Sequence, residues 1–370
     1  MSNPEMRREI SDIPYMRWAK AEPLDAEYPL TQSAVPPVDW QQLGLDPRTL
    51  ELIHYTSYGE PELLRQLTSR WGLPEEEILL ASGTTHAHFC FAASTLKPGE
   101  PLLYESPGYR PLLDSLSLLQ LQTIPFYRRF TDGFALPQRE LEKLVQSSDA
   151  RVLLITHLHN PSGVALTQSE IQFLVQLCEQ YGVEILCDET YRPFLDPDPG
   201  PLHQFHPSII SMGSFNKVHG LPMIRVGWGY ASRERVQQAR SILDSTTVHN
   251  SCLSDQVAQA AVRCMPDLEA RGRRIARAGW EVMGPALAGS PLEVVAPAAG
   301  VVCFPRIPES LFADGDRLQQ ALAQVGVRVT PGRFFAEPHH VRIAFGLTPE
   351  ALTEAVVRME RVWLERAKHP

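Results

Sequence analysis

The chain has 370 residues, 44% hydrophobic and 21% charged, with a formal net charge of −9. This is a globular composition, too long for one small core, so two packed lobes are expected. An acidic chain without a basic run argues against a nucleic-acid or membrane-surface binder, and any anion site has to be built locally from a few cations and backbone amides.

The opening residues MSNPEMRREI lack the apolar segment of a secretory leader, and no apolar stretch reaches the length of a membrane span. The expected location is therefore the cytoplasm. The six cysteines (Cys90, Cys178, Cys187, Cys252, Cys264, Cys303) form no CxxC pair. Buried, reduced thiols are expected, with no disulfide framework and no metal site.

Residues 1–50 are rich in proline and poor in periodicity, and read as an extended arm packing on the second lobe. From Pro61, Leu63, Leu64, Leu67 and Trp71 fall at helical spacing. Short apolar runs then alternate with helical stretches: EILLASG, PLLYES, RVLLITHL, VEILCDET, SIISMGSF and RVGWGYAS. Runs of this length suit strands buried on both faces of a mostly parallel sheet. Between two of them LTQSEIQFLVQLCEQYG reads as an amphipathic helix, opened by a capping box of Thr167 and Glu170. A long helical segment over 254–284, interrupted near Pro266, is followed by short runs (LEVVAP, GVVCFP, GVRVTP, HVRIAF) and a last helix from Thr348. The expected fold is α/β: a large domain over 51–264 with a helix-sandwiched sheet, and a smaller α+β domain over 265–370.

Ligands of parallel α/β sheets bind beyond the carboxyl ends of the strands, so the residues after each run are the site candidates. They are Gly83, Thr84 and Thr85 at a helix start, Tyr109 in PGY, Asn160 in HNPSG, Asp188 and Tyr191 in DETY, and Ser214, Lys217 and Arg225 in SFNKVHGLPMIR. Singly, most have a plain reading as turn or packing residues. Asp188 is harder to dismiss, because an acid ending a buried apolar run is costly without a cation.

In combination and order, these motifs resemble the fold-type I enzymes that use pyridoxal 5′-phosphate (PLP), in the class I/II aminotransferase group. The resemblance runs from about Tyr55 to Arg342. It implies that Lys217 forms the Schiff base and then shuttles a proton, and that Asp188 pairs with the pyridine nitrogen. It implies that Tyr191 and Asn160 hydrogen-bond the ring hydroxyl and that Tyr109 stacks on the ring. Gly83, Thr84, Thr85, Ser214 and Arg225 hold the phosphate in this picture, and Arg342 pairs with the substrate α-carboxylate. Members are usually homodimers in which a neighbour's tyrosine reaches the phosphate; Tyr55 is preferred over Tyr58 for that part. Ser33 stands where the group often has glycine. His157, His159 and His219 are expected to be structural. The implied function is transfer of an amino group from an L-amino acid to a 2-oxo acid. A PLP-dependent lyase, cyclase or decarboxylase shares the same cofactor shell. A PLP-sensing regulatory domain would need an N-terminal DNA-binding module, for which residues 1–50 are too short and proline-rich.

Overall fold

In the computed structural model, which describes residues 12–21, 26–53 and 55–368, seven strands form one sheet. Their order is Ile78–Ala81, Gly227–Tyr230, Ile209–Ser214, Glu184–Asp188, Val152–Thr156, Pro101–Ser106, Gln122–Tyr127. Six share one direction; Gly227–Tyr230 runs opposite to both of its neighbours.

Successive side chains of a strand point to opposite faces. Leu154, Leu186, Ile210 and Met212 meet Ala87 and Phe91 of helix Thr84–Thr95, and Val236 and Leu243 of helix Arg233–Thr246. On the other face Leu153, Ile155, Ile185 and Ile209 meet Leu141 and Val145 of helix Gln138–Ser147, and Ile171 and Leu174 of helix Gln168–Tyr181. Burial on both faces is why these runs are continuously apolar and do not alternate.

The helix ends follow their sequence signals. The Thr167 hydroxyl accepts the Glu170 N–H at 3.2 Å, and the Glu170 carboxylate accepts the Thr167 N–H at 2.7 Å. Gly182, at φ 64°, ends that helix in the left-handed conformation that glycine adopts without strain. The segment expected to break near Pro266 forms two helices, Cys252–Arg263 and Met265–Ala288. Pro266 lies in the first turn of the second, where its missing N–H costs no hydrogen bond.

Beyond that helix, Thr330–Pro331, Val341–Ala344 and Val302–Cys303 form a three-stranded antiparallel sheet. The run LEVVAP, expected as a strand, makes only a single bridge from Glu293 to Arg306. Prolines 291 and 297 bound it, and proline cannot donate to a ladder. Leu30, Met283, Val341, Ile343 and Leu352 share one core here.

The N-terminal segment pairs Tyr28–Pro29 in parallel with Val327–Arg328. It is not extended throughout, because Pro14–Ala21 is helical. Proline is preorganised for a first helical position, and Tyr15 and Trp18, three residues apart, both pack on Phe334. Residues 1–11 and 22–25 of the expected arm lie outside the described residues. All six cysteines are free, but Cys252 and Cys264 are only half-buried. Cys252 opens a helix, with its thiol directed at the Leu52 carbonyl at 3.5 Å. No described helix is long and apolar enough to cross a membrane.

Candidate active site

The six co-directional strands end at one edge of the sheet, which brings the residues that follow them together. The reversed strand contributes from its start. Gly227 lies opposite both Ala81 and Ser214 in register, which delivers Arg225 to the same edge. A cavity of ~440 Å³ opens there, lined by Thr84, Thr85, Tyr109, Asn160, Asp188, Tyr191, Ser214, Lys217 and Arg225 among others. A larger groove of ~600 Å³ lies between Tyr15, Arg110 and Arg333, but none of the strand-end candidates lines it. The chemistry belongs to the smaller cavity.

One end of the cavity is built for an anion. Helix Thr84–Thr95 starts there after Gly83, so its first N–H groups and positive dipole end are available. Gly83 has φ 87°, and a Cβ on it would fall 2.2 Å from Arg225 Nη2. A Cβ on Gly227 would fall 2.4 Å from the Thr84 nitrogen. Asn216, in the amide orientation that satisfies both ends, donates to Pro222 O at 2.7 Å and accepts from Arg225 Nη1 at 3.2 Å. Ser214 is buried and accepts the Asn216 N–H at 3.4 Å. Gly227→Ala is expected to press on the Thr84 backbone, costing about 1–3 kcal/mol of stability as overpacking does. It should also weaken PLP binding, which denaturant melts and PLP titration of the variant would check.

Asp188 and Lys217 carry the central charges. Burial raises the Asp188 carboxyl above its ordinary range, opposed by the Thr190 hydroxyl and N–H, which both donate to Oδ1, and by the charge of Lys217. A half-buried acid facing a cavity in this state fits a ligand that brings its own cation, as a protonated pyridine does. Lys217 is pushed down to about 8, first by burial and then by Arg342 and Arg225, with Asp188 acting the other way. Nζ donates to Ser33 Oγ at 3.2 Å. Only the neutral amine attacks an aldehyde. Capture of PLP by the apoprotein should therefore speed up about tenfold per pH unit below 8 and level off above it, measured as the growth of visible absorbance.

Arg342 is fully buried. Its Nη1 donates to Asn160 Oδ1 at 3.2 Å, and its Nη2 to the Tyr15 hydroxyl at 2.9 Å and the Thr31 carbonyl at 3.3 Å. Its Nε has no partner among the described residues. The Tyr191 hydroxyl donates to the Ser33 carbonyl at 2.9 Å, and Val35 N–H donates to the Lys217 carbonyl at 3.2 Å. Residues 31–35 thus strap Arg342, Tyr191 and Lys217 together.

Tyr15, Ser33 and Asn216 were not among the candidate site residues. Tyr15 caps Arg342 and meets Tyr109 edge-on at 5.5 Å. Pro14 followed by aromatic residues was the available helix signal, but nothing local points that helix at Arg342.

The histidines serve structure. His159 is buried between Ser162 Oγ at 2.6 Å and the Pro107 carbonyl at 2.8 Å. His157 is buried, lowered to about 3 chiefly by burial, and its Nδ1 accepts the Leu166 N–H. His219 meets Glu269, which takes a two-pronged contact from Arg70 at 2.6 and 2.7 Å. That cluster ties the lysine loop to helix Met265–Ala288. Tyr55 is not brought to the cavity: it is 88% exposed. Tyr58 is engaged locally, donating to Asp244 at 3.2 Å beneath the Arg240 guanidinium.

A cavity with a helix-start anion site, a half-buried acid and a depressed lysine thus lies at the strand ends of a doubly covered sheet, and the chain that builds it has relatives among known proteins. The family model described as aminotransferase class I and II matches residues 27–359. The chain is similar to "Capreomycidine synthase" of Streptomyces vinaceus (26% identity over 283 residues, 74% of this chain and 70% of that one). It is also similar to "Aspartate aminotransferase" of Thermococcus kodakarensis (24%, covering 78% and 76%). A PLP-dependent aminotransferase structure from Streptococcus suis superposes with TM-score 0.89 at 21% identity, over 96% of this chain and 98% of that one. The chain belongs to the class I and II aminotransferase family. It is a PLP-dependent transferase of fold type I, as its sequence suggested.

Proposed function

We propose that Lys217, Asp188, Asn160 and Arg342 are the working groups of an aminotransferase that takes an L-amino acid as donor and a 2-oxo acid as acceptor. The supporting observation is that Lys217, Asp188 and Asn160 line one cavity with the anion-binding helix start, and that the buried Arg342 is hydrogen-bonded to Asn160 of that lining. Arg342 pairs with the donor α-carboxylate in two-pronged fashion, and Asn160 and Tyr15 hold the guanidinium in its plane. The Thr84 and Thr85 amides, Ser214 and Arg225 would hold the phosphate of the cofactor and Tyr109 would cover its ring, while Asp188 would serve the ring nitrogen and Tyr191 the ring hydroxyl. The cofactor, when bound, supplies an electron sink for the pair left at Cα. Lys217 Nζ takes the Cα proton, for which an amine titrating near 8 is well matched to neutral pH. The amino group leaves the donor, which becomes a 2-oxo acid, and returns on the acceptor, which becomes an amino acid. No outside oxidant or reductant is needed.

The protein is proposed to act in the cytoplasm as a homodimer with shared sites. Leu52, Ile53, Tyr55 and Met223 are 80%, 76%, 88% and 83% exposed, an unusual showing of apolar side chains. In that dimer Tyr55 reaches the neighbour's phosphate. Ile53→Lys is expected to shift the species seen by light scattering from two copies to one and to weaken PLP binding; an unchanged dimer would remove this face from the interface.

Adding single amino acids to the PLP-loaded protein tests the reaction. Stoichiometric loss of the visible band, restored by a 2-oxo acid, is the expected result. A PLP-dependent reaction other than transamination is suggested by one relative's name, a synthase. It would instead show multiple turnovers of one amino acid with the band retained.

A further inference from the structure

We infer that the amino donor of this site carries a neutral, apolar side chain. The inference rests on the proposed aminotransferase reading and extends it to the part of the substrate that the reading leaves open. Two cations line the cavity and a third, Arg342, stands behind Asn160, and each has a part in the proposed reaction. Arg225 stands beside Gly83 at the anion end, Lys217 is the reacting amine, and Arg342 is locked at Asn160, where an α-carboxylate docks.

The wall left for the side chain is mainly hydrocarbon, and its polar members, Ser115 and Thr156, are uncharged. Ile13, just before the N-terminal helix, and Met16, within it, are both half-buried and line the cavity together with Pro111, Leu112 and Leu158. Arg17 of the N-terminal helix and the two arginines of the larger groove are already paired: Arg17 with Asp12 at 2.8 Å, Arg110 with Asp114 at 3.0 Å, Arg333 with Asp316 at 2.8 Å. Arg128 is buried against Glu105 at 3.1 Å and lines no part of the cavity. A distal carboxylate would be desolvated here with no unpaired cation from the described residues of its own chain. A distal ammonium would meet acids already paired. A branched, thioether or aromatic side chain would exclude water from Ile13 and Met16.

The experiment is a single-turnover screen of the PLP-loaded protein with leucine, methionine, phenylalanine, aspartate, glutamate and lysine, followed by the loss of the visible band. The rate per concentration is expected to be at least about tenfold higher for the first three, the scale on which an apolar pocket discriminates. A second readout needs no turnover: 4-methylpentanoate and 3-phenylpropanoate should raise the melting temperature, while succinate and glutarate should not. Met16→Arg adds a cation to the proposed wall, and is expected to admit succinate and raise the aspartate rate tenfold or more. Aspartate, glutamate or lysine matching leucine in the wild type would overturn the inference while leaving the aminotransferase reading intact. So would a Met16→Arg protein, bound to PLP, whose preference had not moved. If no amino acid discharged the band, the aminotransferase reading itself would fall, and this inference with it.

Discussion

Lys217→Ala is expected to lower turnover by roughly 10⁴-fold, the upper end for removal of a general acid–base group, because one atom is asked to do two jobs. In the proposed reaction Nζ attaches the cofactor and moves the Cα proton, and no other amine lines the cavity among the described residues. The fold should survive. The backbone carbonyl of residue 217 still accepts from Val35 N–H, and alanine removes an amine whose charged form is disfavoured by burial and by two arginines. The melting temperature is therefore expected to hold or rise. Single-turnover spectra check the chemistry, and borohydride should fix PLP covalently in the wild type but not in the variant. A variant that turned over normally would take Lys217 out of the mechanism.

Asp188→Asn is expected to cost about 10²–10³-fold in turnover, the range for losing one preorganised electrostatic group. The substitution keeps the shape and an acceptor for the Thr190 donors, so global stability should change little. It removes the charge that would keep a pyridine nitrogen protonated. A second consequence follows from the sign of the Lys217 shift. Burial, Arg342 and Arg225 lower that amine to about 8, and Asp188 is the group that raises it. Without Asp188 the amine should titrate lower still, so the pH midpoint for PLP capture should move down. A midpoint unchanged or moved up would mean that the two groups do not share a field, and the electrostatic account of the site would fail with it.

Much of the architecture was legible residue by residue, for a local reason. Leu153 and Leu154 serve opposite faces of one strand, and a strand buried on both sides must be apolar at every position. Thr167 and Glu170 write a helix start within four residues. The edge strand Gln122–Tyr127 escaped notice because its residues are largely exposed or half-exposed, and no continuous apolar run marks it. Likewise the helix Pro14–Ala21 sits in a proline-rich stretch too short to show its period.

By itself the sequence named the cast of the proposed site, from Gly83 to Arg225. All but Arg225 end or closely follow a recognisable strand, and the parallel sheet brings strand ends to one edge. What only the tertiary structure decided is how these groups are wired. Gly227–Tyr230 runs backwards, which is why Arg225 arrives from a strand's start. Tyr15 holds Arg342 across 327 residues of chain, and Ser33 meets Lys217 across 184. The Lys217 amine near 8 is likewise a product of assembly, since burial and the arginines that lower it come from separate segments. No local period encodes contacts between residues that distant; only the packing of the N-terminal segment over the sheet edge creates them.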